Sequence, residues 1–128
     1  MDRQTIEQRV APLLVPIPGA NRAGENANYD PRHEDLRREV AKLEAPTGGL
    51  PEWPRIARGG ADLLKGVTKD YLLGSYVAWA WYETEGLGGL AAGLRLLSGL
   101  IENYWEDGHP PLKRIRGRSN AIGWSSSQ

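Results

Sequence analysis

A chain of 128 residues is the size of one domain, and folding at this length buries about two-thirds of the surface that the unfolded polymer exposes. Its 16 Lys and Arg balance its 16 Asp and Glu, so no global field draws nucleic acid or anionic lipid. Cysteine is absent, which excludes a disulfide framework, a thiolate metal site and a cysteine nucleophile, while five Trp and five Tyr make up for a complete lack of Phe.

The first residues, 1–7, are polar and charged and lack the apolar centre of a signal peptide. From Ile6, the residues Val10, Leu13, Leu14 and Ile17 start a helical stripe that Pro12, Pro16 and Pro18 are expected to cut short. Residues 15–28 read as a loop. Asp30 followed by Pro31 is an N-cap with proline at the first helical position, and Glu34 and Asp35 suit the positive end of the dipole. Leu36, Val40 and Leu43 are the expected buried edge of this second helix, which Pro46 ends. After a Gly/Pro-rich connection over 46–51, Pro54 opens a third helix with Ile56, Leu63, Leu64 and Val67 inward. Gly59 and Gly60 weaken it by about 1 kcal/mol each relative to alanine.

A fourth helix is expected over about 69–85. Leu72, Leu73, Tyr76, Val77, Trp79 and Ala80 share a broad face, with Tyr71 and Tyr82 opposite and Trp81 at the border. A helix apolar nearly all round is the central one of its domain. Gly86, Gly88 and Gly89 suggest a turn. In the fifth helix Leu87, Leu90, Leu94, Leu97, Ile101 and Trp105 fall on one stripe, widened by Leu96, Leu100 and Tyr104, with Arg95, Ser98, Glu102 and Glu106 outside. On this reading Trp105 is buried beside Ile101, Leu97 and Leu94. Gly89 and Gly93, one turn apart, point to close backbone packing, because the stretch 87–101 is interrupted by Arg95 and too short to span a membrane. Gly108, Pro110 and Pro111 stop the helix. A short sixth helix fits about 116–124. No alternating strand or internal repeat is visible. The expectation is an all-α single domain of five to six helices packed as antiparallel pairs.

Sites of chemistry are few. His33 lies near Asp30, Glu34 and Asp35, yet no second histidine follows at i+4, and acidic residues suit a helix start without any metal. His109, in the helix-stop turn, could cap the last carbonyls of the fifth helix or, with Glu106 or Asp107 as orienter, act as a general base; no activated nucleophile stands beside it. Glycine-rich phosphate motifs are missing, and Glu83 and Glu85, two apart on a helix, cannot form one dyad. Lys113, Arg114, Arg116 and Arg118 form the one charge cluster, readable as a helix-end rim, a docking patch for an acidic partner, or a phosphate or nucleic-acid site. Tyr71, Trp81 and Tyr82 lie on the second face of a half-buried helix. They must pack on a further element such as the 15–28 loop, or stay exposed as anchors of the kind tyrosine and tryptophan supply at interfaces.

Several elements in order carry a resemblance: Gly24-Glu25-Asn26, Tyr29-Asp30-Pro31, Trp53 before the Leu63-Leu64 pair, Thr68-Lys69-Asp70-Tyr71-Leu72, the Gly/Leu/Ala-rich helix ending in Tyr104-Trp105 and His109-Pro110, and the basic stretch closing on Asn120-Ala121 and Trp124. From about residue 13 to 124 the chain resembles the ImpA-related N-terminal domain of TssA-type proteins of the bacterial type VI secretion system. The resemblance implies a non-catalytic assembly module, cytoplasmic and associated with the secretion apparatus, that contacts baseplate, membrane-complex or tail tube/sheath subunits. It implies no cofactor, metal, nucleic acid or membrane insertion. It also implies that residues 1–128 form the N-terminal module of a longer protein, homo-oligomeric through a further C-terminal region; the polar ends, 1–4 and 125–128, are expected to be disordered. Partner-contacting candidates are Lys113, Arg114, Arg116 and Arg118, then Tyr71, Trp81 and Tyr82. An accessory, sheath-capping relative is the alternative within the family; a small-ligand or hydrolytic domain using His109 is the alternative outside it.

Overall fold

The computed structural model describes residues 2–45 and 47–110. Over these the chain forms α1 (Arg3–Leu14), α2 (Pro31–Val40) with a 3₁₀ turn (Ala41–Leu43), α3 (Trp53–Gly66), α4 (Tyr71–Glu85) and α5 (Leu87–Tyr104). Three helices start on an aspartate that accepts a backbone donor of the first turn: Asp2 from the Thr5 N–H at 2.8 Å, Asp30 from Arg32 at 2.8 Å and Asp70 from Leu73 at 3.1 Å. The Asp2 cap carries α1 back to Arg3, so Arg3 and Gln4 are helical. Pro12 lies inside α1 without ending it; the stop comes at Val15, extended as a residue before proline prefers, ahead of Pro16. The Asp70 cap likewise starts the fourth helix at Tyr71, leaving Lys69 in the preceding turn.

Helix α4 is the centre, as its all-round apolarity indicates. It packs against α3 on one side and α5 on the other, and α1 closes over α3 and α5. Gly59 and Gly60 do not interrupt α3. A Cβ at Gly60 would lie 2.5 Å from the Val77 side chain, so the glycine permits close approach of α3 to α4. Gly86 alone joins α4 to α5, at φ 70°, a conformation glycine adopts freely. Gly88 and Gly89 are therefore helical, outside the turn assigned to them. Gly89 and Gly93 are contact points between backbones: a Cβ at Gly93 would fall 2.5 Å from the Ala78 Cβ, and one at Gly89 2.0 Å from the Trp81 carbonyl oxygen.

This glycine seam corrects the orientation of α5. Its buried residues are Gly89, Ala92, Gly93, Leu96, Leu97, Gly99, Leu100 and Tyr104. The stripe through Leu87, Leu94, Ile101 and Trp105 faces solvent, and Leu97 is its only buried member. Small residues bring two backbones together, so they, not the largest side chains, set the inward direction. Leu43 is also partly exposed, because the chain leaves the helical path in the 3₁₀ turn beyond Val40. Only two isolated β-bridges, Gly24 with Thr68 and Asp70 with His109, are found among the described residues. The expected sixth helix and the basic run Lys113, Arg114, Arg116 and Arg118 lie outside the described residues.

Candidate docking surface

The turn before α4 is buried although it is polar: Thr68, Lys69 and Asp70 are each at most 5% exposed. It holds together three stretches distant in sequence. The Lys69 N–H donates to the Ala23 carbonyl at 2.7 Å, the His109 N–H to the Lys69 carbonyl at 2.8 Å, and the Tyr71 N–H to the His109 carbonyl at 2.9 Å. The Lys69 Nζ donates to the Leu13 carbonyl at 2.8 Å and the Leu64 carbonyl at 2.6 Å, in the last turns of α1 and α3. Helix C-termini present uncompensated carbonyls and a partial negative charge, so one ammonium ties two helix ends. Burial pushes the Lys69 ammonium down to about 8.

Both histidines belong to this framework. His33 is buried in α2 and its Nε2 lies 3.0 Å from the Asp70 carboxylate, with the Arg37 guanidinium against its Nδ1. His109 is 9% exposed and bonds the Gly24 carbonyl through Nε2 at 2.8 Å. It therefore locks the 22–24 loop and does not cap the carbonyls of α5. Asp107, one of its two candidate orienters, is instead engaged by Arg22 at 3.0 Å. No group of three or more metal-ligating side chains gathers among the described residues. Nor is any described helix long and apolar enough to cross a membrane.

The aromatic candidates are mostly internal. Tyr71 is 1% exposed and its hydroxyl reaches the Leu100 carbonyl at 3.2 Å. Trp81 is buried beneath Arg9, whose guanidinium sits 4.4 Å above the indole while pairing with Glu85. Tyr82 is half-buried and stacks at a tilt on Trp79, ring centres 5.2 Å apart. Tyr71 and Trp81 are thus packed, not presented as anchors. The physical reason is the central place of α4: Trp81 meets Arg9 of α1, and Tyr71 meets Leu100 and Trp105 at the end of α5.

What the molecule does present is the outer edge of α5. Leu87 is 77% exposed, Leu94 57%, Ile101 39% and Trp105 38%, with Leu90 half-buried between them. Eighteen residues at 1.5 Å each make this stripe about 27 Å long. Scattered exposed leucines are ordinary, whereas these apolar side chains recur along one edge for the length of α5. The signal was in the sequence: once Gly89, Gly93 and Gly99 are taken as the inward set, the leucines spaced by seven must face out. A separate groove of ≈ 470 Å³ opens between α1, α3 and α4 around Arg9, Ala57, Arg58 and Trp81.

Comparison with known proteins agrees with this architecture. A family profile described as "ImpA, N-terminal, type VI secretion system" matches residues 14–126. The type VI secretion system component TssA1 of Pseudomonas aeruginosa is 31% identical over 107 residues, covering 78% of this chain but 31% of the relative. The N-terminal domain, including the conserved ImpA N-terminal region, of the TssA component from Burkholderia cenocepacia superposes with a TM-score of 0.80 at 24% identity, over 92% of this chain and 46% of that one. The chain thus spans about a third of the length of its Pseudomonas relative and under half of the solved chain. It belongs to the ImpA-related N-terminal domain family of TssA-type type VI secretion components.

Proposed function

We propose that this domain is a non-catalytic docking module through which a TssA-type subunit engages baseplate, membrane-complex or tail tube/sheath components on the cytoplasmic side of the apparatus. The observation that carries the reading is the solvent-facing stripe Leu87, Leu94, Ile101 and Trp105 on an otherwise well-packed helix. Family membership supports assembly as the task. The involvement of both histidines in buried structural bonds supports a role without catalysis. In this reading the basic run Lys113, Arg114, Arg116 and Arg118 is a second contact, and further regions of the full-length protein supply homo-oligomerisation.

The test is Leu94→Glu in the full-length protein. Helical content and unfolding midpoint should stay at wild-type values, while secretion and co-purification with at least one apparatus subunit fall. Unchanged secretion and unchanged co-purification would overturn the reading.

A further inference from the structure

Resting on that reading, we propose that the C-terminal half of the α5 edge receives a basic amphipathic helix of a partner protein. Three features favour a cation there. Glu102 and Glu106 are exposed, one helical turn apart on the solvent side of Ile101 and Trp105, and neither carboxylate is paired among the described residues. Trp105, 38% exposed and edge-on to Tyr71, lines the same shallow cleft as Glu102 and Glu106, and indole faces attract ammonium and guanidinium groups. The negative end of the α5 dipole adds to the same field.

The described cations nearby, Arg22 and Arg95, are already engaged. Arg22 pairs with Asp107 at 3.0 Å, donates to the Asn103 carbonyl and lies 4.7 Å from the centre of the Tyr104 ring. Arg95, on the same flank about two and three turns back, is held by Glu7 at 2.6 Å. Among the described residues the acidic edge therefore stays uncompensated beside apolar side chains, which is the arrangement a helix with leucines on one face and lysines or arginines one turn apart complements.

A second copy of the chain suits this surface poorly. Paired in parallel, acid would face acid; paired antiparallel, the carboxylates would meet Arg95, which Glu7 already holds.

The experiment uses the 128-residue chain and two labelled peptides of about 18 residues with one leucine face, the first carrying lysines at i, i+4 and the second glutamates at the same places. Binding is followed by fluorescence anisotropy. The lysine peptide should bind and the glutamate peptide should not. Glu102→Lys with Glu106→Lys should weaken the lysine peptide by about tenfold or more and favour the glutamate peptide. Glu34→Lys with Glu44→Lys, the same change in net charge at remote exposed carboxylates, should leave affinity unchanged. Added salt should weaken binding.

Equal binding of both peptides, or indifference to the Glu102/Glu106 reversal, would overturn the proposal. So would self-association abolished by Leu94→Glu without peptide binding, which assigns the edge to a second copy. Binding that appears only after Arg114→Glu with Arg116→Glu would assign the acidic edge to the chain's own basic run, and would also overturn it. Failure here with loss of secretion in Leu94→Glu leaves the docking surface standing and removes only its cationic partner.

Discussion

Lys69 brings an ammonium into the protein interior with no carboxylate in ion-pairing reach among the described residues. Its partners are two carbonyls at helix ends, and the Tyr104 ring centre lies 5.6 Å away. Replacing it by Met keeps the length of the side chain but strands both carbonyls. Lys69→Met should therefore cost about 2–4 kcal/mol in chemical denaturation, since bonds from charged donors contribute more than neutral ones and their acceptors would be left dry. The sign of the pH effect follows from the depressed pKa. Between about 8, where folded Lys69 loses its proton, and 10.5, its ordinary value, the unfolded chain binds more protons, so stability rises with pH. Measured against Lys69→Met, the wild type should gain on the order of 1–2 kcal/mol between about pH 8 and pH 10. Above that window Tyr76, which burial pushes up to about 12, acts oppositely and lowers stability as pH rises. A flat difference between the two proteins across the window would contradict the buried-ammonium description.

At the scale of elements, most of the fold could be read from local chemistry. Asp30-Pro31, the proline opening α3, the apolarity of α4 and the Pro/Gly stop after α5 each mark an element because each acts through the backbone within one turn. The phase of α5 was harder to read. Leucine occupies so much of that helix that the hydrophobic period alone admits two orientations, and the glycines, which carry no apolar weight, decide between them. Gly93→Val should demonstrate the point: with Ala78 in the way, overpacking should cost about 1–3 kcal/mol or more by thermal or denaturant unfolding. Trp105→Ala should cost clearly less than the ~3–5 kcal/mol of a fully buried tryptophan, because the indole keeps 38% of its exposure and meets the Tyr71 ring edge-on at 6.2 Å. The polar turn at 68–70 was visible as a motif, yet its burial was not, since it depends on loops 22–24 and 108–110 arriving from opposite ends of the chain.

Across the described residues, a packed helical body presents an apolar edge along α5. The central α4, the buried lysine joining α1 to α3, and the glycine seam beneath α5 together fix that edge in place, so a partner meets side chains that are already ordered and loses less entropy on binding. Tyr71 and Trp81, for which the sequence leaves packing and anchoring both open, are part of this support. The most direct measurement is site-specific photocrosslinking in cells, with a photoreactive amino acid placed at position 94 of the full-length protein and, as controls, at the exposed positions Tyr29 and Leu50. Docking through α5 expects a discrete adduct with a secretion-apparatus subunit from position 94 and none from the two controls. Adducts from Tyr29 or Leu50 with no adduct from position 94 would contradict it.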